Sequence, residues 1–408
     1  GSDHPLGLYL HVPFCQARCS YCAFYTVPWT EVSPFVKALE AEILSVAQRG
    51  RGAEMLSLGP QGGASVDTLY FGGGTPSLLS CGDLGRLVEL IDRQFKVTSD
   101  AEITLEVNPE TVTGDAAWGW RAAGITRISL GVQSLDGQVL RALGRRHDEV
   151  MIKDAVHDLR TAGFKNLSFD LIAGVNIDGF YADLQAALRL APDHLSVYLL
   201  ETDEMEVGGV TPLARRVTAG RHRRPDDDWF VQAYGRMVET LAEHGLKRYE
   251  ISNFAHTGRE SRHNLKYWRS QDVLGFGPGA HSLSGNSRYA VAPDLPAYLK
   301  ALTCGRQPPL VVDPSGPAER AWEALFLALR LEEGLDLKAW QHRPGAFLNA
   351  ELLAEMAALN RAGLMRGRRR LRLTKRGVMV SSEIFQRLLP PPAPMGDVED
   401  RDMLPSSS

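Results

Sequence analysis

The sequence predicts an α/β fold. Six parallel strands wound with helices form a partial TIM-type barrel, and a small C-terminal α+β domain with a winged-helix look follows. Two observations carry this reading. Strand and helix patterns alternate six times across residues 8–200, which implies a parallel sheet with right-handed crossovers. The strand segments are continuous apolar and β-branched runs, as strands buried on both faces are. Six units fall short of the eight in a complete barrel, and a doubly wound open sheet is the alternative.

Taken in order, LYLHVPF is a buried strand running straight into a cysteine-bearing loop. Residues 33–48 read as a helix, with Ser33 placed to cap it and Pro34 in its first turn. Residues 49–65 are Gly-rich and aperiodic, hence a surface loop. The strand VDTLYF ends in Gly72-Gly73-Gly74-Thr75-Pro76. Further strands are expected in AEITLEVNP, RISLGVQS, NLSFDLIAG and HLSVYLL, with helices near 82–94, 113–123, 148–162 and 179–190. Residues 202–228 are polar and Arg-rich and read as an excursion over the barrel mouth. A helix at 229–244 precedes the strand RYEISNFA. These patterns divide the chain into a barrel at 1–255, a connecting segment at 256–314, a C-terminal domain at 315–389 and a tail at 390–408. The C-terminal domain opens with two amphipathic helical stretches, followed by a short β-ribbon and a last helix. The Pro-rich, acidic tail is expected to be disordered.

Composition bounds the function. Hydrophobic residues make up 44% and charged residues 23% of 408, ordinary for a globular chain with a sizeable core. With 45 basic against 49 acidic side chains the net charge is −4, so nothing global points to nucleic acid. There is no apolar run of membrane-spanning length and no signal-peptide pattern. Free cysteines fit a reducing cytoplasm.

Three of the five cysteines, Cys15, Cys19 and Cys22, fall within eight residues in the spacing C-x3-C-x2-C. Thiolates on one short loop can wrap an iron–sulfur cube and leave its fourth iron open to a chelating molecule. Structural zinc is the competing reading. It wants four ligands, usually in two pairs, and no second pair exists, although His11 could complete a Cys3His site. The neighbours Phe14, Tyr21 and Phe24 favour a cluster, because an apolar wall shields it from solvent.

This loop resembles the signature of the radical S-adenosylmethionine (SAM) superfamily, in the branch of oxygen-independent coproporphyrinogen III oxidases and their haem-chaperone relatives. The resemblance implies a [4Fe–4S] cluster on the three cysteines, SAM on the open iron, and the partial barrel. It also implies a set of SAM contacts at the strand ends, where ligands of parallel α/β folds bind. These are Gly73, Gly74 and Thr75 on the ammonium, Glu106, Gln133, Arg145 on the methionyl carboxylate, and Asp170 on the ribose. Tyr9 matches an aromatic residue beside the same site. Read without the resemblance, the Gly triplet is a tight turn, Glu106 is one half of a salt bridge, and Arg146 competes with Arg145. After Asp170 the chain reads DLIAGVNIDGFYADL, shorter than the family pattern, which leaves contacts from that loop open.

His263, Tyr267 and Trp268 in HNLKYW resemble a motif of the haem-chaperone members. The resemblance makes them haem contacts, whereas the plain reading is a hydrogen-bonded structural cluster. The basic run Arg366, Arg368, Arg369, Arg370, Arg372, Lys375 and Arg376 suits a solvated face first. Nucleic acid, an anionic membrane surface, touched peripherally, or an acidic partner comes second. The oxidases carry a further cysteine two residues after the third ligand, where this chain has Phe24. The expectation is therefore a chaperone that binds haem and delivers it to haem-requiring apoproteins, such as respiratory enzymes. Oxidative decarboxylation of coproporphyrinogen III and radical methylation of haem are the rival activities.

Overall fold

A computed structural model describes residues 4–49, 65–200, 211–220, 225–285 and 287–389. Most of the Gly-rich loop, much of the Arg-rich excursion and the tail lie outside the described residues. Six parallel strands run through the centre in sequence order: β1 (Leu6–Val12), β2 (Ser65–Gly73), β3 (Lys96–Val107), β4 (Arg127–Gln133), β5 (Leu167–Ala173) and β6 (His194–Leu199). Each pairs with the next. This unbroken order is that of a barrel wall, whereas a doubly wound sheet reverses its order part way. The strands are buried on both faces, and in β4 all seven residues are buried.

The crossovers are α1 (Ser33–Arg49), α2 (Cys81–Gln94), α3 (Gly114–Ala122), α4 (Gly137–Leu143), α5 (Glu149–Thr161) and α6 (Phe180–Leu188). Ser80, Thr113, Asp136 and Asp148 cap α2 to α5 with side-chain oxygens that accept backbone N–H bonds, satisfying donors that a helix start leaves open. The short α4 was not expected. The sheet does not close into a full barrel. Beyond β6 it continues with β7 (Asn253–Ala255), antiparallel, after α7 (Pro212–Thr218) and α8 (Asp227–Glu243). Beyond β1 it continues with β8 (Val273–Phe276), parallel, and then β9 (His281–Ser284), β10 (Ser287–Val291) and β11 (Leu310–Val312). The segment expected as a connection thus extends the barrel sheet, with α9 (Arg262–Trp268) and α10 (Leu295–Thr303) beside it.

The C-terminal part consists of α11 (Pro317–Arg330), α12 (Leu337–Gln341), α13 (Ala350–Arg361), α14 (Lys375–Met379) and α15 (Ser381–Leu388) around a small three-stranded sheet. Leu325, Trp340, Leu359 and Ile384 fill it, and the apolar core is continuous with that of the barrel. In the basic run, Arg366 pairs with Glu332, Arg370 with Asp336 and Lys375 with Glu239. Exposed pairs of this kind contribute little.

Candidate functional site

A cavity of about 920 Å³ opens at the C-terminal ends of the strands. The cysteine loop and strand ends form one side. The start of α8 with α14 and α15 forms the other. Its volume lies near the top of the range of roughly 300–1,000 Å³ usual for small-molecule sites.

The loop is held from both ends. Phe14–Cys15 pairs with Val27–Pro28, and Ser20 is tied to α4 by its N–H on Leu143 O at 2.9 Å and its Oγ on Ala142 O at 2.9 Å. Cys15, Cys19 and Cys22 all line the cavity. Burial pushes the Cys15 and Cys22 thiols up. Thr75 Oγ1 donates to Cys15 Sγ at 3.7 Å, which favours thiolate there, and Arg145 Nη1 donates to Cys19 Sγ at 3.4 Å. Among the described residues no three His, Cys, Asp or Glu side chains converge tightly enough for one ion. The ligands of a cluster bind separate irons and stand farther apart than those of a single ion. Three thiolates on one loop at the cavity are a donor set that suits an iron–sulfur cluster.

The strand ends supply the rest of this wall. Gly74 lets β2 run against the cysteine strand: a Cβ there would stand 2.6 Å from Phe14 O. Gly73 has φ +114°, and a Cβ there would meet the His11 ring. Its N–H donates to Glu106 Oε2 at 3.2 Å, and the Tyr70 hydroxyl donates to Glu106 Oε1 at 2.8 Å. Burial still outweighs these bonds and pushes Glu106 up to about 7. Asp170 is also raised by burial while Ser129 Oγ donates to it at 3.2 Å. Gln133 closes β4 with φ +63°, a conformation that costs a non-glycine residue energy and that clusters at functional sites. Arg145 donates to Asn108 Oδ1 at 2.5 Å and Gly131 O at 3.0 Å, and its Nε is buried without a partner among the described residues.

The structure thus brings Gly73, Gly74, Thr75, Glu106, Gln133, Arg145 and Asp170 to the wall of one cavity with the three cysteines. Arg146 lines it too, reaching Gln16 at 3.5 Å. Asn108, which the sequence reading passed over, joins the group by bonding both Thr75 and Arg145. Its only signal was a polar residue two positions after Glu106, just past the strand end. Also unforeseen are Tyr198 on β6, Arg330 on α11 and residues 378–383 with Phe385, which line the cavity from elsewhere in the chain.

Four expected residues are not brought there. Tyr9 lies behind the wall, stacked on Tyr70 at 5.9 Å with its hydroxyl 3.2 Å from His11 Nδ1. His263, Tyr267 and Trp268 are not among the lining residues either. Helix α9 turns His263 into the barrel interior, where Nδ1 is bonded to Thr68 Oγ1 at 2.9 Å and Nε2 to the Tyr267 hydroxyl at 3.2 Å. Burial lowers its pKa to about 3. Both ring nitrogens are committed, so this arrangement offers haem iron no ligand from His263. Trp268 packs instead under the guanidinium of Arg330 at 4.5 Å.

Residues 9–187 match the model of the radical SAM superfamily, and residues 317–380 that of the HemN C-terminal domain. The Mycobacterium tuberculosis protein "Heme chaperone HemW" is 35% identical over 393 residues, covering 94% of this chain and 95% of that protein. The Bacillus subtilis protein of the same name is 29% identical, covering 93% and 98%. Coproporphyrinogen III oxidase (HemN) from Escherichia coli superposes with a TM-score of 0.77 over 94% of this chain and 90% of its own at 23% identity, a likeness of fold. No helix among the described residues is long and apolar enough to cross a membrane. With a relative 35% identical and matched over nearly the full length of both chains, this chain belongs to the HemW family within the radical SAM superfamily.

Proposed function

We propose that the chain is a haem chaperone, binding haem and delivering it to haem-requiring apoproteins. An iron–sulfur cluster and SAM come with the superfamily. The proposed cluster is [4Fe–4S], held by Cys15, Cys19 and Cys22, with SAM on its fourth iron. When bound, the cluster supplies an electron and an open coordination position. The chain's own residues then divide the work of holding SAM. Arg145 offers a fork to a carboxylate, Asp170 and Glu106 face the sugar and ammonium side, and Gly73, Gly74 and Thr75 bring backbone close. The observation that carries the reading is a single cavity joining this polar wall to an apolar one built by Phe230, Val231, Val378 and Phe385.

Oxidative decarboxylation of coproporphyrinogen III is the second reading, favoured by the shared fold with the oxidase. Phe24 speaks against it, standing exposed at the cavity where the oxidases have a further cysteine. The test is mass spectrometry of tetrapyrroles after anaerobic incubation of reconstituted protein with SAM, a reductant and either substrate. The chaperone reading expects haem recovered intact from a stable complex and coproporphyrinogen untouched. Decarboxylated porphyrinogen, or methylated haem, overturns it.

A further inference from the structure

The geometry points to Arg330 as the residue that receives a carboxylate of the bound tetrapyrrole, with Trp268 holding its guanidinium in place. This rests on the haem-binding reading above and says where and how haem is anchored. Arg330 ends α11, the first helix of the C-terminal part, and its side chain lines the cavity from that part. It reaches one Glu250 oxygen at 3.4 Å. Glu250 is fully buried, and its other oxygen already accepts from Ser252 N at 2.9 Å and Asn253 Nδ2 at 2.5 Å. The guanidinium plane is fixed from below by the Trp268 ring, and its Nε is buried without a hydrogen-bond partner among the described residues.

A guanidinium so placed is under-compensated. Among the described residues its one ion pair is long, and the same carboxylate accepts from two other donors on its second oxygen, while a planar fork is built to meet a carboxylate through two parallel bonds. The same wall of the cavity is largely apolar: Phe230, Val231 and Tyr234 come from α8, and Val378 and Phe385 from α14 and α15. The other charged groups on these elements at the cavity are Asp227 and Glu383. They leave Arg330 as the cation of this wall, while Arg145 belongs to the cysteine-loop wall. A largely apolar surface bearing one fork complements a flat hydrophobic ring with acidic arms, and Arg330 stands on the wall opposite Arg18, Arg145 and Arg146, which keeps its carboxylate apart from that of SAM. The HNLKYW segment then reaches haem at one remove. Trp268 is a positioning residue, half-buried at the end of α9 beneath the Arg330 guanidinium.

The test is an anaerobic absorbance titration of cluster-loaded protein with haem and with haem dimethyl ester, whose side-chain carboxylates are capped. Unaltered protein should bind haem about tenfold or more tightly than the ester, as expected for a charge-assisted bond. Arg330→Gln should lower haem affinity to that of the ester and leave the ester unaffected. Trp268→Leu should reduce the preference, and Trp268→Phe should restore it. Equal affinity of unaltered protein for both compounds overturns the proposal without any mutation, as does Arg330→Gln weakening both equally. Failure of unaltered protein to bind either compound overturns the haem-binding reading itself.

Discussion

Tyr70 donates its hydroxyl proton to Glu106 at 2.8 Å, yet the carboxyl it supports is pushed by burial from an ordinary 4.5 up to about 7. A folded pKa above the unfolded one means that the folded state holds the proton more tightly. The stabilisation is complete below about pH 4.5 and lost as pH rises through about 7. Glu106→Gln keeps the shape and cannot ionise. It should stabilise cluster-free protein at about pH 8 by an amount on the order of 3 kcal/mol, with no difference left near pH 4. Denaturant unfolding of the two proteins across this range checks it, and the subtraction removes the buried histidines common to both. A difference that stays flat with pH would mean that Glu106 is ionised in the folded protein.

How much of this was legible beforehand follows the physics of each element. The strands β1 to β6 were readable because burial on both faces demands unbroken apolar runs. The helices α2, α3, α5 and α6 were readable from their apolar periodicity. Helix α4 escaped because seven residues are too few to display that periodicity, although it anchors the cysteine loop through Ser20. The cysteines stood out by residue type and spacing and Arg145 only through the family resemblance, and the fold brings them to one cavity. Residues 378–383 escaped because a cavity wall formed across some 350 residues of sequence leaves no local pattern. His263 shows the opposite failure. Its motif is visible, but nothing local says that α9 turns the ring toward Thr68, 195 positions away.

Each of Cys15, Cys19 and Cys22 should be required singly for the cluster. Replacing any one with Ala leaves two ligands, too few to hold a cluster on this loop. The visible charge-transfer absorbance and most bound iron should be lost from each variant after anaerobic reconstitution. Cys81, half-buried on α2, and exposed Cys304 serve as controls, and their replacement should change neither reading. Retention of iron and absorbance in a Cys22→Ala protein would remove that residue from the ligand set.

Arg145→Lys should separate charge from geometry. Lysine keeps the positive charge near Cys19 but cannot contact Asn108, Gly131 and a ligand carboxylate from one plane. SAM affinity, measured by equilibrium dialysis on cluster-loaded protein, should fall about tenfold or more. Iron content should stay unchanged, because the charge facing Cys19 is preserved. Arg146, the alternative candidate, reaches Gln16 alone among the described residues, so Arg146→Lys should bind SAM like the unaltered chain. The reverse pattern would exchange the two arginines.

His263→Ala should act on stability and spare haem. The ring bonds Thr68 and Tyr267 in the barrel interior and stacks on Tyr70 at 5.1 Å. Its removal leaves a cavity and two hydroxyls without their partner, a loss of about 2–4 kcal/mol. Burial lowers the histidine from 6.5 to about 3. It is therefore neutral when folded, and its contribution is lost as pH falls from about 6.5 toward 3 because the unfolded chain takes up the proton. The variant should lack that part of the acid destabilisation. Haem affinity, titrated at neutral pH well below the lowered melting temperature, should equal that of the unaltered chain, because the ring stands behind the cavity wall. Unchanged stability together with lost haem binding would instead bring the imidazole out to the ligand, and would require α9 to rotate away from Thr68 on binding.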